Sequence, residues 1–91
     1  MNTILKRYWF EFEIESVFKV PGGIGLGCGV CAFSEDDAIR IMDEKIFTEI
    51  KRPPILKVIE DVDIRKLDQG HVIPNMLPPV YRGIWYPLGY D

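Results

Sequence analysis

Four glycines alternate with apolar residues in the first third of the chain: Gly23, Gly25, Gly27 and Gly29. Side chains alternate between the two faces of a strand, so an extended run here would present nearly bare backbone on one face. Interior glycine usually marks the close approach of a ring, another backbone or a ligand. A nucleotide-binding loop is not indicated, because Val30 stands where that motif needs a glycine and no helix begins before Ser34. Two interpretations stay open: an indole ring, from Trp9 or Trp85, covers the glycines, or a bound chain lies over Gly25, Gly27 and Gly29.

Two cysteines stand three positions apart, at Cys28 and Cys31, a spacing found in redox pairs and zinc sites. A redox pair needs the transition from a strand to a helix N-terminus, and a structural zinc needs four ligands. Residues three apart in an extended segment point to opposite faces. We therefore expect no metal and no cofactor, and we interpret the pair as a small buried hydrophobe and a free thiol.

His71 is the single histidine and a candidate acid or base, with Asp61, Asp63 or Asp68 available to orient its ring. No serine, cysteine or second histidine stands at a spacing typical of nucleophilic catalysis. We therefore predict no catalytic residue. His71 enters instead as a binding residue in an alternative hypothesis, a small-ligand domain or minor enzyme that uses the loop 68–76 beside the glycine-rich strand.

Two further groups of side chains are typical of interaction surfaces. Glutamates at alternate positions form an acidic row, consisting of Glu11, Glu13 and Glu15. The row is either a solvated outer face or a docking stripe for a basic partner. Aromatic residues surround Arg82 near the carboxyl terminus: Tyr81, Trp85, Tyr86 and Tyr90. Because Tyr, Trp and Arg commonly anchor interfaces, we predict Trp9, Trp85 and Arg82 as anchors.

The amino-terminal pattern predicts a hairpin. Residues 5–15 alternate, with Tyr8, Phe10, Phe12 and Ile14 facing inward, and residues 16–22 read as the loop. The glycine run then forms a second strand to about residue 33. In the proposed register, Tyr8 lies opposite Val30, Phe10 opposite Cys28 and Phe12 opposite Leu26. On the other face Trp9, Glu11 and Glu13 oppose Gly29, Gly27 and Gly25, which predicts a shallow trough with acidic walls.

The remaining elements follow from capping and breaker signals. Ser34 is a good N-cap, with Asp37 at the third helical position. Apolar residues at helical spacing predict an amphipathic helix over about 35–50, stopped by Pro53-Pro54. Strands are predicted over 55–60 and 80–86, with one helical turn over 64–67 after Asp63. The order ββαββ predicts a single α+β domain spanning 1–91, whose four-stranded, mainly antiparallel sheet carries the helix on one face.

The composition excludes several classes of function. The net charge is −3 and the basic residues are scattered, which argues against nucleic acid. No stretch approaches the roughly 18 apolar residues of a membrane span, and the first residues do not follow a signal-peptide pattern. With only two cysteines, we expect a cytoplasmic protein with reduced thiols.

Four stretches together resemble a family of short uncharacterised bacterial proteins: Pro21 to Gly29, Glu60 to Asp63, His71 to Met76 and Arg82 to Trp85. The resemblance spans most of the chain. That family has no assigned activity, so the resemblance implies no role for any residue. In general character such proteins are similar to the products of mobile gene cassettes, such as integron cassettes, and of immunity genes next to toxins.

These observations lead to one principal hypothesis and two alternatives. We expect a small cytoplasmic binding protein that acts through protein–protein contact, in an immunity-like manner, with the acidic row steering a partner that has a basic surface. The first alternative is the small-ligand domain or minor enzyme around His71. The second is self-association into a homodimer through an exposed sheet edge or the aromatic patch.

Overall fold

The computed structural model describes residues 4–15 and 20–90, so most of the predicted loop over 16–22 lies outside the described residues. Four strands form one antiparallel sheet in the order β3-β1-β2-β4: β1 Lys6–Phe12, β2 Cys28–Ala32, β3 Ile55–Ile59 and β4 Gly83–Tyr86. One helix, α1, spans Glu35–Lys45. The predicted α+β class and the ββαββ order are confirmed.

The predicted β1–β2 register is confirmed where both strands are regular. Tyr8 lies opposite Val30, Trp9 opposite Gly29 and Phe10 opposite Cys28. Alternation then places the aromatic side chains at 8, 10 and 12 on one face of the sheet and Trp9 on the other.

The prediction that the strand extends back to residue 23 is wrong. Ile24–Leu26 forms a 3₁₀ turn, closed by a 3.0 Å hydrogen bond from the Gly27 amide to the Ile24 carbonyl. Gly27 has φ 132°, a backbone conformation that glycine adopts far more readily than other residues. The turn buries Ile24 completely and leaves Leu26 44% exposed, so Leu26 does not face Phe12 in the core.

The helix begins as predicted and ends earlier. The Ser34 hydroxyl accepts from the Asp37 amide, and the Asp37 carboxylate accepts from the Phe33 amide, so the two side chains satisfy backbone donors reciprocally. The helix stops at Lys45, not near residue 50. Phe47 leaves the helix and packs edge-on against Phe12 at 5.6 Å, whereas Ile50 is 43% exposed. Phe47 therefore reaches the core from a turn, in a segment where the apolar periodicity predicted that the helix would continue.

The sheet has two covered faces. Helix α1 lies against β2 and β4 and closes a core on the first face with Ala38, Ile41 and Met42. On the second face, residues 61–79 form an irregular cover in which Val62, Leu67 and Val72 are buried against Trp9 and Trp85. This second layer is absent from the predicted architecture.

Short turns shape the irregular cover. Asp61, with φ 58°, turns the chain out of β3, and the Val62 amide then donates to the Arg7 carbonyl. The predicted turn after Asp63 is confirmed as a 3₁₀ helix over Ile64–Lys66, with the Asp63 carboxylate accepting from the Arg65 amide. The last strand is shorter than predicted. It begins at Gly83 because residues 78–82 form a turn outside the sheet, in which Tyr81 is 79% exposed.

Candidate functional site

Two indole rings cover the predicted glycine strip. A Cβ atom on Gly29 would lie 2.5 Å from Cζ2 of Trp85, and one on Gly27 would lie 2.5 Å from Cζ2 of Trp9. Both glycines and both tryptophans are buried, and Gly25 is exposed on the 3₁₀ turn. The predicted open trough does not exist in the folded chain. The glycines allow large rings to sit directly on the sheet, which is the first of the two interpretations that the sequence left open.

The two indoles form one aromatic layer. Trp9 and Trp85 stack with ring centroids 5.9 Å apart, and Tyr86 lies 5.7 Å from Trp9. The Trp9 indole donates to the Glu11 carboxylate at 3.0 Å. The Trp85 indole N–H is buried and lies next to the Cys31 sulfur. Both rings therefore belong to the second core, where Trp9 is 3% and Trp85 is 2% exposed.

The thiols lie on opposite faces of the sheet, as the extended geometry predicts. Cys28 belongs to the core under α1, and Cys31 to the core under the irregular cover. Burial raises the pKa of both thiols. The Cys31 thiol donates to the Pro79 carbonyl at 3.2 Å, which also accepts from Arg7. Neither sulfur is placed for disulfide exchange within the chain.

A first cleft, which we call the α1–β4 cleft, opens between the helix end and the start of β4. Its volume is about 560 Å³, and apolar side chains make most of its wall, including Ile41, Leu77, Ile84 and Tyr90. Glu44 and Lys45 are charged residues of the lining, and the exposed Tyr81 ring lies beside the cleft. The volume lies in the range of roughly 300–1,000 Å³ that binding pockets occupy.

Arg82 also lines the α1–β4 cleft, but its guanidinium is committed to the fold. It forms a two-pronged ion pair with Asp37, with Nε 3.0 Å from Oδ2, and lies 5.9 Å from the centroid of Phe33. The Arg82 hydrogen bonds lower the pKa of the Asp37 carboxyl. The predicted anchor Arg82 thus fixes the cleft wall to the helix N-terminus, and its charge is already matched.

A second cleft, which we call the β1–β3 cleft, lies on the irregularly covered face. Its volume is about 510 Å³, and Trp9, Ile59, Val62 and Leu67 supply its apolar wall. Five charged residues line the same cleft: Glu11, Lys57, Asp61, Asp63 and Lys66. Glu11 and Lys57 are directly opposed across β1 and β3. The structure thus brings Trp9 and Glu11 together here, and Arg82 and Trp85 together in the other cleft.

The acidic row is divided by the structure. Glu11 accepts from Trp9 and lines the β1–β3 cleft, whereas Glu13 and Glu15 are exposed beyond the end of β1. His71 is exposed and lines neither of the two clefts. Its ring nitrogen lies 3.3 Å from Asp68, whose pKa is lowered first by the backbone amides of Gly70 and His71. Of the three carboxylates that the sequence offered as partners for His71, Asp68 is the one that contacts its ring.

Sequence reasoning missed several residues of the clefts, chiefly Lys57, Lys66, Glu44 and Leu77. Lys57 carried a usable signal, because a charged residue inside the apolar strand 55–59 must lie on a face that reaches solvent. Leu77 and Lys66 gave none. They join their clefts only because the irregular segment folds back over the sheet.

Within residues 4–15 and 20–90, no group of three or more His, Cys, Asp or Glu side chains is placed to hold a metal ion. Over the same residues, no helix has the length and apolar character needed to cross a bilayer. No protein-family model matches the chain, and searches of curated proteins and of solved structures return no match. Conclusions on function therefore rest on the geometry of this chain's own residues.

Proposed function

We propose that this chain is a small cytoplasmic binding protein that acts through protein–protein contact, and that the α1–β4 cleft is its docking site. The observation that carries the proposal is an apolar cleft of about 560 Å³ beside an exposed aromatic side chain, Tyr81. A partner that inserts an apolar side chain into the cleft would cover Tyr81 at the same time. Aromatic residues around a pocket commonly contribute most of the binding energy of an interface.

The residues next to the cleft support this choice of surface. Tyr81 is 79% exposed and Val80 is 55% exposed, although both are large and apolar. The neighbouring chain is held in place, because the Leu77 amide donates to the Trp85 carbonyl and Arg82 is fixed to Asp37. A rigid surface loses little conformational entropy when a partner binds.

Charge favours a basic partner. The chain carries a net charge of −3 and Glu13 and Glu15 are exposed, whereas inside the cleft Lys45 offsets Glu44. Complementary charge raises the rate of encounter more than it raises final affinity. An immunity-like role, in which a basic toxin is the partner, is the form of this function that the acidic surface fits. The alternative centred on His71 is not proposed, since His71 lines neither of the two clefts.

The cleft is tested by site-specific photo-crosslinking in the native host. A photoreactive phenylalanine replaces Tyr81, and a matched control carries it at Leu56, another exposed apolar position at 67% exposure on β3. We expect one specific crosslinked partner from position 81 and none from position 56. Equal crosslinking from both positions, or none from position 81, contradicts the proposed docking site.

The charge dependence is tested with the identified partner. In a Glu13→Lys/Glu15→Lys double variant we expect the association rate to fall several-fold at low salt and the difference to shrink as ionic strength rises. Glu11 is left unchanged because it bonds Trp9. Glu49→Lys, at another exposed position, is the control. An unchanged association rate in the double variant removes the steering role of these carboxylates.

A further inference from the structure

We infer that the β1–β3 cleft is a binding site for a small zwitterion, a free α-amino acid with an apolar side chain. This inference does not depend on the proposed protein contact, because it concerns a different cleft that shares no lining residue with the α1–β4 cleft. The volume of about 510 Å³ is that of a small-molecule site. The charges of the wall and the apolar residues between them define the ligand class.

The carboxylate that would receive the ligand's ammonium group is held in place. Glu11 accepts the Trp9 indole N–H through one oxygen at 3.0 Å, and Trp9 is only 3% exposed. This hydrogen bond uses Oε2, so Oε1 remains available as an acceptor. Asp61 lines the same cleft from the turn that follows β3. Asp63, in contrast, is already engaged by Arg65.

The ammonium groups that would receive the ligand's carboxylate come from two separate elements. Lys57 belongs to β3, opposite Glu11, and Lys66 belongs to the 3₁₀ turn capped by Asp63. Neither lysine has an ion-pair partner within the described part of the chain, although other basic residues do, as in the pairs Lys6–Glu60 and Arg52–Asp43. Two lysines outside these ion pairs thus line one cleft, with Glu11 opposite Lys57 and Asp63 near Lys66.

This mixture of charges excludes simpler ligands. Phosphate or another polyanion would meet Lys57 and Lys66 but would also be repelled by Glu11 and Asp61. A simple amine would be attracted by the two carboxylates but repelled by Lys57 and Lys66. The ammonium group of a zwitterion would meet the two carboxylates, and its carboxylate would meet the two lysines. The wall formed by Ile59, Val62 and Leu67 accommodates an apolar side chain.

The test uses L-leucine as the probe and measures amide and indole chemical shifts by nuclear magnetic resonance. The Trp9 indole proton reports on Glu11 directly, because it donates to that carboxylate, and the Tyr81 amide, in the α1–β4 cleft, serves as an internal reference. We expect leucine to shift the Trp9 indole and the amides of residues 57–67 in a saturable manner. We expect 4-methylpentanoate and isopentylamine, which each keep one charge, to bind at least tenfold more weakly.

Variants locate the site. Lys57→Met and Lys66→Met each remove one cation, and Lys45→Met, in the α1–β4 cleft, is the matched control. We expect leucine affinity to fall about tenfold or more in the first two and to be unchanged in the third; all three lysines are exposed, so the fold is retained. The inference is overturned by the absence of saturable shifts up to about 10 mM leucine, well above a weak Kd of about 1 mM. It is also overturned by equal binding of 4-methylpentanoate, or by unchanged affinity in both cleft variants.

Discussion

The two faces of the sheet are covered by different kinds of structure. On one face, α1 places Ala38, Ile41 and Met42 against strand side chains, including Phe10 and Val30. On the other, an irregular segment and two indoles lie over β2, where Gly29 offers no side chain. Both faces are buried to a similar degree, but only the first is built from regular elements.

The difference lies in how each cover satisfies its backbone. A helix bonds its own amides and carbonyls, so it needs help only at its ends, which Ser34 and Asp37 provide here. An irregular segment must find partners for each buried group. Side chains supply many of them in the second cover: Asp63, Asp68, Gln69 and Asn75 all bond nearby backbone.

This contrast also explains where the clefts lie. A helix covers a sheet in a straight band, while a chain of short turns leaves gaps at its margins. Residues 61–67 bound the β1–β3 cleft, and residues 77–83 bound the α1–β4 cleft. Polar and charged side chains line both. The irregular part of the chain therefore creates the surfaces that we propose to be functional.

The largest expected effect comes from removing the centre of the second cover. Trp85→Ala should lower the free energy of unfolding by about 3 to 5 kcal/mol, because the buried indole leaves a cavity over Gly29. Met42→Ala, under the helix, should cost about 2 to 5 kcal/mol. Urea unfolding measures both. Tyr81→Ala, 79% exposed, is the control within about 0.5 kcal/mol. A cost below about 1 kcal/mol for Trp85→Ala would show that the second cover contributes little.

Filling the glycine position should be nearly as damaging. A methyl group on Gly29 overlaps the buried Trp85 ring, so the ring must shift, and Gly29→Ala should cost about 2 to 3 kcal/mol. Gly22→Ala, with no atom near its Cβ position, is the matched control. In a Trp85→Ala background the Gly29→Ala cost should largely disappear, which a double-mutant cycle measures. Additive costs would mean that the ring is not the obstacle.

The thiols report the opening of each face separately. We compare native-state alkylation of Cys28 in a Cys31→Ala variant with that of Cys31 in a Cys28→Ala variant, each normalised to its rate in urea. Cys31 should react at least tenfold faster, a difference of about 1.4 kcal/mol in opening free energy, because short turns open more readily than a packed helix. Equal protection would indicate that the two covers open together.

A smaller effect is expected at the helix cap. Ser34→Ala removes the acceptor for the Asp37 amide and should cost about 1 kcal/mol. Thr48→Ala, at an exposed position after the helix, is the control. The same substitution should increase Cys28 labelling more than Cys31 labelling. Equal acceleration at the two thiols would contradict the separation of the faces.

The smallest effect is a pH dependence at the link between the covers. Hydrogen bonds from Arg82 lower the pKa of Asp37 in the folded chain, so its stabilising contribution is present above the unfolded pKa of about 3.9 and is lost as pH falls through the folded pKa. Asp37→Asn should therefore cost under about 1 kcal/mol at pH 7. Its difference from wild type should shrink below pH 4, whereas Asp36→Asn serves as the control. A difference independent of pH would exclude the ion pair as its source.

The sequence predicted the regular face well because its signals are local. Alternation placed Tyr8, Phe10 and Phe12 on one face, and Ser34 marked the helix start. The helix end was predicted wrongly because Phe47 and Ile50 are both apolar and the spacing pattern does not distinguish them. In the structure, only Phe47 is buried, and it packs against Phe12. The predicted second strand began too early in the glycine run, because the alternating pattern gives no sign that the chain turns at Gly27.

The candidate sites divide in the same way. The sequence by itself determined the strand parity, the helix cap, the opposite placement of Cys28 and Cys31, and the acidic character of the chain, since each follows from neighbouring residues. Only the tertiary structure decided that Trp85 covers Gly29, that Arg82 pairs with Asp37, and that Lys57 and Lys66 share a cleft. Those contacts join residues far apart in the chain, and which of them form depends on how the irregular segment folds back onto the sheet.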